Sequence, residues 1–98
     1  MITTKVQKVI DALAQELRLP KEAILEQGMK TFLEKKLREI RAEIIQITGK
    51  YGISSVEEME ERYKQGALEE KDTWRDFQEL DRLEYIKEHL EQLLRELE

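Results

Sequence analysis

The single histidine of the chain and its many carboxylates are the side chains that could bind a metal ion. Di-iron helical bundles use a Glu-x-x-His pair on facing helices. His89 is preceded three residues earlier by Ile86, so this motif is absent. The densest acidic cluster, at residues 57–61, falls in the first turns of a predicted helix, where the helix dipole favours negative charge. We therefore predict no metal site and no cofactor.

Nucleophilic catalysis has no support in the sequence either. The chain contains no cysteine, which excludes disulfides, thiolate zinc sites and cysteine nucleophiles. No serine, threonine or lysine has a recognisable general base beside it in the sequence. The loops predicted between the helices are only a few residues long, so none is available to form a pocket. We expect a protein that is not an enzyme and has no catalytic residues.

Charge is divided unevenly along the 98 residues. Residues 1–50 carry ten Lys/Arg and seven Asp/Glu, a net charge of +3, whereas residues 51–98 carry seven and fifteen, a net charge of −8. A basic first half and an acidic second half are typical of a small adaptor that binds an anionic surface through one half and a basic protein through the other. The charge of +3 is too small for strong nonspecific binding to nucleic acid, so specific binding would require a dimer that doubles the contacts.

Composition favours long helices. Apolar and charged residues each make up 40% of the chain, and there are only one Pro and four Gly to form turns. A chain this short buries a limited fraction of its surface alone, so oligomerisation would add stability. Apolar runs are two or three residues long, and the N-terminus lacks the apolar core of a signal peptide. We expect no membrane segment and a cytoplasmic location.

The apolar periodicity predicts an all-α fold of three to four helices, arranged as a helical bundle or a coiled-coil hairpin. The first helix is expected over residues 5–18, with Thr4 and Gln7 as a capping box. An alternative is that residues 1–6 form a β-strand, since Ile, Thr and Val favour strands, and a strand before two helices is the ribbon-helix-helix plan. Against it, the segment lacks the alternation with basic residues that a groove-reading ribbon needs.

The second helix is expected to start at Pro20 and to continue to about Thr48, because proline suits the first turn of a helix. The glycines of residues 49–52 are candidate left-handed caps that end it. Ser54 and Ser55 offer capping boxes for a short third helix. A final helix is expected from about residue 69 to the end.

Two of these helices carry apolar residues at alternating steps of three and four, which is the spacing of a coiled-coil seam. The predicted oligomer seam consists of Leu33, Leu37, Ile40, Ile44 and Ile47 in the second helix and Ile86, Leu90, Leu93 and Leu97 in the last. A second helix of this length is too long for the rest of the chain to cover, so we expect a homo-oligomer, with a dimer favoured.

A cluster of aromatic and acidic residues opens the last helix. An aromatic anchor among carboxylates could be a hot spot for a basic partner, or it could be core packed against the third helix, and we favour core because most large apolar side chains are buried. The candidate partner-binding residues are Glu69, Glu70, Asp72, Trp74, Phe77, Leu80 and Leu83.

Residues 12–34 resemble the two-helix part of small prokaryotic antitoxins of the ribbon-helix-helix kind. Gly28 occupies the position of a small residue in that pattern, and Phe32 and Leu33 match its closing pair. The turn differs, with Leu19 and Pro20 where the family has glycine, and the basic strand is missing, which puts operator binding in doubt. The acidic, helical remainder also looks like the tail of small proteins associated with toxin-antitoxin gene pairs.

The resemblance implies a protein that acts by stoichiometric binding. Residues 1–49 would form a dimerising helical pair, and residues 50–98 an acidic helical region that covers a basic nuclease-type partner, although both could be one continuous domain. The hypothesis is therefore a non-catalytic protein–protein interaction module, in the manner of an antitoxin-like inhibitor. The alternative is a self-assembling structural helical oligomer that needs no partner.

Overall fold

The computed structural model describes residues 3–98, and within them every regular element is an α-helix. The helices are α1 (Thr4–Leu17), α2 (Lys21–Tyr51), α3 (Val56–Lys64) and α4 (Glu70–Leu97). The prediction of an all-α fold is confirmed. Helix α4 packs against α2, while α1 packs on α2 and α3 packs on α4. The molecule measures 62 × 25 × 19 Å, and its radius of gyration of 19.6 Å exceeds the roughly 13 Å of a compact domain of this length.

Helix α1 begins one residue earlier than predicted. The side chain of Thr3, not Thr4, accepts a hydrogen bond from the amide of Val6, and Gln7 donates to Asp11, so the predicted capping box does not form. Thr4–Val6 belong to this helix, which contradicts the strand alternative for these residues. The Met1–Ile2 part of that alternative lies outside the described residues.

Helix α2 continues through Gly49 and ends three residues later than predicted. Gly52 has a φ of +65° and its amide donates to the carbonyl of Thr48, so this glycine supplies the left-handed cap. A glycine inside a helix costs only about 1 kcal/mol, which the packing of the last turn offsets. Its 31 residues give α2 a length of about 46 Å, and it forms the spine of the molecule.

Helices α2 and α4 run antiparallel, as two ion pairs between them show. Arg41 Nη2 lies 3.1 Å from Glu91 Oε2, and Lys50 Nζ lies 2.9 Å from Asp76 Oδ2. The later residue of α2 therefore pairs with the earlier residue of α4. This arrangement places basic residues of the first half of the chain beside acidic residues of the second half, so the uneven charge along the sequence is partly neutralised in space.

The core lies where α3 and the end of α2 meet the first half of α4. Met59 and Leu80 are fully buried, and Ile53 is 9% exposed. The half-buried residues packed around them are Ile44, Ile47, Tyr51, Val56, Tyr63, Leu68 and Phe77. Residues from both predicted regions thus share one core.

We expect Leu80→Ala to destabilise the protein by about 2 to 5 kcal/mol, because the cavity left in a closed core cannot be filled by relaxation. Ile45→Ala is the matched control, since Ile45 is 67% exposed and its truncation should change the unfolding free energy by about 0.5 kcal/mol or less. Denaturant unfolding followed by circular dichroism measures both. Equal losses for the two variants would contradict the assignment of Leu80 to the core.

Tyr51 joins the end of α2 to α4 through Asp76. The Tyr51 hydroxyl and the Lys50 ammonium both donate hydrogen bonds to the Asp76 carboxylate. The hydrogen bond from Tyr51, followed by that from Lys50, lowers the pKa of Asp76. Burial, together with the same hydrogen bond, raises the pKa of Tyr51. The neutral phenol and the charged carboxylate therefore stabilise each other.

The pH dependence of stability should report this contact. A lowered carboxylate pKa contributes stability above the unfolded value of about 4 that is lost as the pH falls, and a raised phenol pKa contributes stability below about 10 that is lost as the pH rises. Tyr51→Phe should therefore lower the unfolding free energy by about 1 kcal/mol between these limits, with the difference shrinking outside them. The control is Tyr85→Phe, since Tyr85 is 63% exposed. A loss for Tyr51→Phe that is the same at pH 3, 7 and 11 would contradict the assignment.

Candidate functional site

Three aromatic side chains form a column at the junction of α3 and α4. The ring of Tyr63 meets the edge of Phe77 at a centroid distance of 5.6 Å, and Trp74 stacks on Phe77 at 5.3 Å with an interplanar angle of 21°. The Tyr63 hydroxyl also shares a hydrogen bond with Thr73, which is buried. Tyr63 and Phe77 belong to the core, whereas Trp74 at the outer end of the column is 45% exposed. The column therefore ends in an indole that is stacked on Phe77 and half-exposed at the surface.

Helix α3 is held in place at its first turn. The Ser55 hydroxyl caps the helix by accepting from the amide of Glu58, as predicted, and Ser54 donates to the Glu58 carboxylate from both its amide and its hydroxyl. The hydrogen bonds from Ser54 lower the pKa of Glu58. The amide of Val56 donates to Glu84 of α4 over 2.8 Å, and burial raises the pKa of Glu84. The hydrogen bond from Val56 to Glu84 joins the first turn of α3 to α4.

Exposed carboxylates lie close to Trp74 in the sequence. Residues 54–81 carry ten acidic and four basic side chains, a net charge of −6. Glu69, Glu70 and Asp72 are exposed in the turn before α4 and in its first turn. Within residues 3–98 none of the three forms a salt bridge. Trp74 and these three carboxylates are called the acidic corner below.

The predicted partner-binding residues divide into two groups. Glu69, Glu70, Asp72 and Trp74 lie at the surface, and Phe77 is half-buried behind the indole. Leu80 and Leu83 are 0% and 1% exposed, so their assignment to a partner surface is corrected: they are core residues. The reason is that α2 and α3 cover the face of α4 from which they project.

The predicted seam residues face the interior of one chain. Leu37 is 2% exposed, and the other seam positions of α2 and α4 are half-buried, apart from Leu93 at 48% exposure. The two seams lie on helices that pack antiparallel against each other, so much of their apolar surface is covered without another subunit. Their role in an oligomer stays a prediction.

A second surface, which the sequence did not single out, lies at the other end of the molecule. Helix α4 ends before it reaches the start of α2, so an apolar cleft of about 520 Å³ opens between the end of α4 and the first third of α2. Its lining residues are Ile24, Leu25, Gly28, Met29, Phe32, Leu33, Leu93, Glu96 and Leu97, called the end cleft below. The sequence does contain a signal for this surface. Apolar residues occur at positions 25, 29 and 32, at steps of four and three, and none of them belongs to the predicted seam.

The histidine and the carboxylates are the candidate metal ligands of residues 3–98. Over that range no group of three or more His, Cys, Asp or Glu side chains is placed to hold a metal ion. His89 lies on the exposed face of α4, where its ring packs on Tyr85 at a centroid distance of 4.3 Å. None of the helices in the described part of the chain is long and apolar enough to cross a membrane.

Comparison with known proteins gives one match. No curated protein and no solved structure matches the chain. The sequence profile described as the uncharacterized protein MJ0235 family matches residues 1–98. That description carries no activity, so the geometry of the acidic corner and the end cleft is the basis for any function. The match itself is full-length, and the chain therefore belongs to the uncharacterized protein MJ0235 family.

Proposed function

We propose that this protein is a non-catalytic protein–protein interaction module whose acidic corner binds a basic protein. The observation that carries the proposal is the half-exposed indole of Trp74, stacked on Phe77 and close in sequence to exposed carboxylates that form no ion pair in residues 3–98. Tryptophan is enriched among the interface residues that dominate binding energy.

The stacked arrangement suits the indole to binding. Phe77 restricts the rotamers of Trp74 before any partner arrives, so little side-chain entropy remains to be lost on association. Its exposed face is large and apolar, and it could fill a pocket or stack on a guanidinium group of a basic partner. Through Phe77 and Tyr63, the indole that would contact the partner is packed continuously against the core.

The surrounding charge would select the partner. A net charge of −6 over residues 54–81 attracts basic surfaces and repels acidic ones, which accelerates association and gives discrimination. If the partner is a nuclease-type protein, carboxylates on this corner would occupy positions that phosphates of nucleic acid otherwise take. Inhibition would then be stoichiometric, in the manner of an antitoxin.

The alternative is a self-assembling helical oligomer with no separate partner. The exposed apolar residues of the end cleft favour self-association, because a patch of this kind is costly to leave in water. The two functions use opposite ends of the molecule and are separable by mutation.

Co-expression with the product of the neighbouring reading frame tests the proposal. We expect the two proteins to co-purify, and we expect this chain to relieve any growth arrest that the other product causes. A chain that purifies alone and gives no rescue would leave the self-assembling oligomer as the better explanation.

Charge reversal at the acidic corner should weaken the complex. The triple variant Glu69→Lys, Glu70→Lys and Asp72→Lys is expected to slow association on the order of tenfold at low salt, because steering by exposed charges is lost. The difference should shrink at high salt, where such charges are screened. Stopped-flow or biosensor kinetics at two ionic strengths measure it.

The matched control reverses three exposed carboxylates elsewhere. Glu34→Lys, Glu43→Lys and Glu88→Lys change the net charge equally but lie along the middle of α2 and α4. Equal slowing by both triple variants would show that only the total charge matters and would contradict a site at the corner.

Removal of the indole should weaken binding without loss of fold. Trp74→Ala is expected to cost about 2 kcal/mol, roughly 30-fold in Kd, because the side chain supplies a preorganised apolar contact. Tyr85→Ala is the control, since Tyr85 is an exposed aromatic residue of the same helix. Calorimetric titration measures both, and an unchanged Kd for Trp74→Ala would count against the proposed surface.

A further inference from the structure

Helix α1 carries an apolar stripe that its own chain does not cover. Val6, Val9, Leu13 and Leu17 are spaced by three, four and four residues, which places them along one side of the helix. They are 46%, 53%, 39% and 58% exposed, whereas the neighbouring Ile10 is 7% exposed. Helix α1 therefore packs on α2 along one edge and leaves these four residues, called the α1 stripe below, facing water.

The position of the α1 stripe is set before any partner binds. Arg18 has a φ of +55°, and the amide of Leu19 donates to the carbonyl of Ala14, which closes the turn between α1 and α2. An ion pair between Lys21 and Asp11 joins the two helices beyond the turn. The α1 stripe and the end cleft consequently lie at the same end of the molecule, far from the acidic corner.

The end cleft is about as long as the α1 stripe. Its floor is the face of α2 from Ile24 to Leu33, about 14 Å long, and the last turns of α4 supply its wall. The α1 stripe, from Val6 to Leu17, spans about 17 Å. Gly28 lies in the floor, and a Cβ atom built there would meet nothing within 4 Å, so the absent side chain deepens the groove.

The exposed apolar area at this end approaches that of a standard interface. Eight side chains of the α1 stripe and the end cleft are between 38% and 59% exposed. At about 80 Å² each, their exposed area totals about 600 Å², which is at the upper end of the largest patch on a typical monomer and below the roughly 800 Å² that each partner buries in a standard complex. Among them are Leu25, Met29, Phe32 and Leu93.

Charge favours a second copy of the chain over a basic or an acidic partner. Residues 3–36 carry seven Lys/Arg and five Asp/Glu, interspersed, so this end offers no strong field to select a charged protein. Two copies that meet here can form cross-pairs of both signs. Their acidic corners, which would repel each other, lie at the opposite ends of the two molecules.

We infer that the chain forms a two-fold symmetric dimer in which the α1 stripe of each copy packs into the end cleft of the other. Each molecule carries both surfaces, and a two-fold axis lets both pairs of surfaces meet at once and closes the assembly at two chains. The interface is separate from the acidic corner, so it can fail or hold independently of the proposed partner binding. Both acidic corners would remain free in the dimer.

The test is the mass of the full chain in solution, by sedimentation velocity or light scattering over a range of concentrations. We expect a dimer for the natural sequence and at least about tenfold weaker dimerisation for Gly28→Glu, because a charged side chain would fill the cleft floor. Gly49→Glu is the matched control: the same change in the same helix, also with nothing within 4 Å of the added Cβ atom. It should leave the dimer intact.

A second variant guards against an indirect effect of Gly28→Glu on folding. Val9→Glu changes the α1 stripe instead of the end cleft and should also give monomers. Its control is Ile45→Glu, because Ile45 is an exposed apolar residue outside both surfaces. Helical content by circular dichroism should be unchanged in all four. A natural chain that is monomeric throughout, or a dimer that both Gly28→Glu and Val9→Glu leave unaffected, would overturn the inference.

The natural absence of cysteine allows a direct check of the contact. Mixed samples of Val9→Cys and Phe32→Cys should form a disulfide between copies under mild oxidation. A mixture of Val9→Cys and Ile45→Cys should not. Equal cross-linking in the two mixtures would contradict the predicted pairing of stripe and cleft.

Discussion

The antiparallel packing of α4 on α2 is the contact on which the rest of the molecule depends. It buries Leu37, Leu80 and Leu83, and it brings Arg41 and Lys50 beside carboxylates of α4. The apolar burial provides the stability, because exposed ion pairs of this kind contribute little. The ion pairs and the Tyr51–Asp76 hydrogen bond instead specify the direction and register of the two helices.

An offset between these two helices, which are nearly equal in length, creates the two distinct ends. Helix α2 extends beyond the end of α4, and this overhang leaves apolar residues of α2 without a neighbour on one side. Helix α1 covers only part of the overhang and adds its own exposed stripe. At the other end, α3 packs over the core, residues 54–81 carry a net charge of −6, and Trp74 is 45% exposed. One end is therefore suited to apolar association and the other to a charged partner.

This arrangement gives the proposed functions a common physical basis. A dimer joined at the apolar end would present two acidic corners at its far ends, where repulsion between them is weakest. Two sites on one particle would raise the apparent affinity for a partner that is itself oligomeric. Membership of the MJ0235 family applies to residues 1–98, so both ends fall within the matched region.

The sequence by itself determined the helices and most of their ends. Apolar spacing, the serines before α3 and the glycine after α2 act within a few residues, and local signals of that kind are readable without the fold. It did not determine which apolar residues are covered, since a seam looks the same whether it packs on its own chain or on another. Leu80 and Trp74 share one helix and one spacing pattern, yet the first is fully buried and the second is 45% exposed. Only the tertiary structure decided that difference, and with it the end cleft, because burial depends on where α4 stops along α2, a distance set by the pairing of residues far apart in the chain.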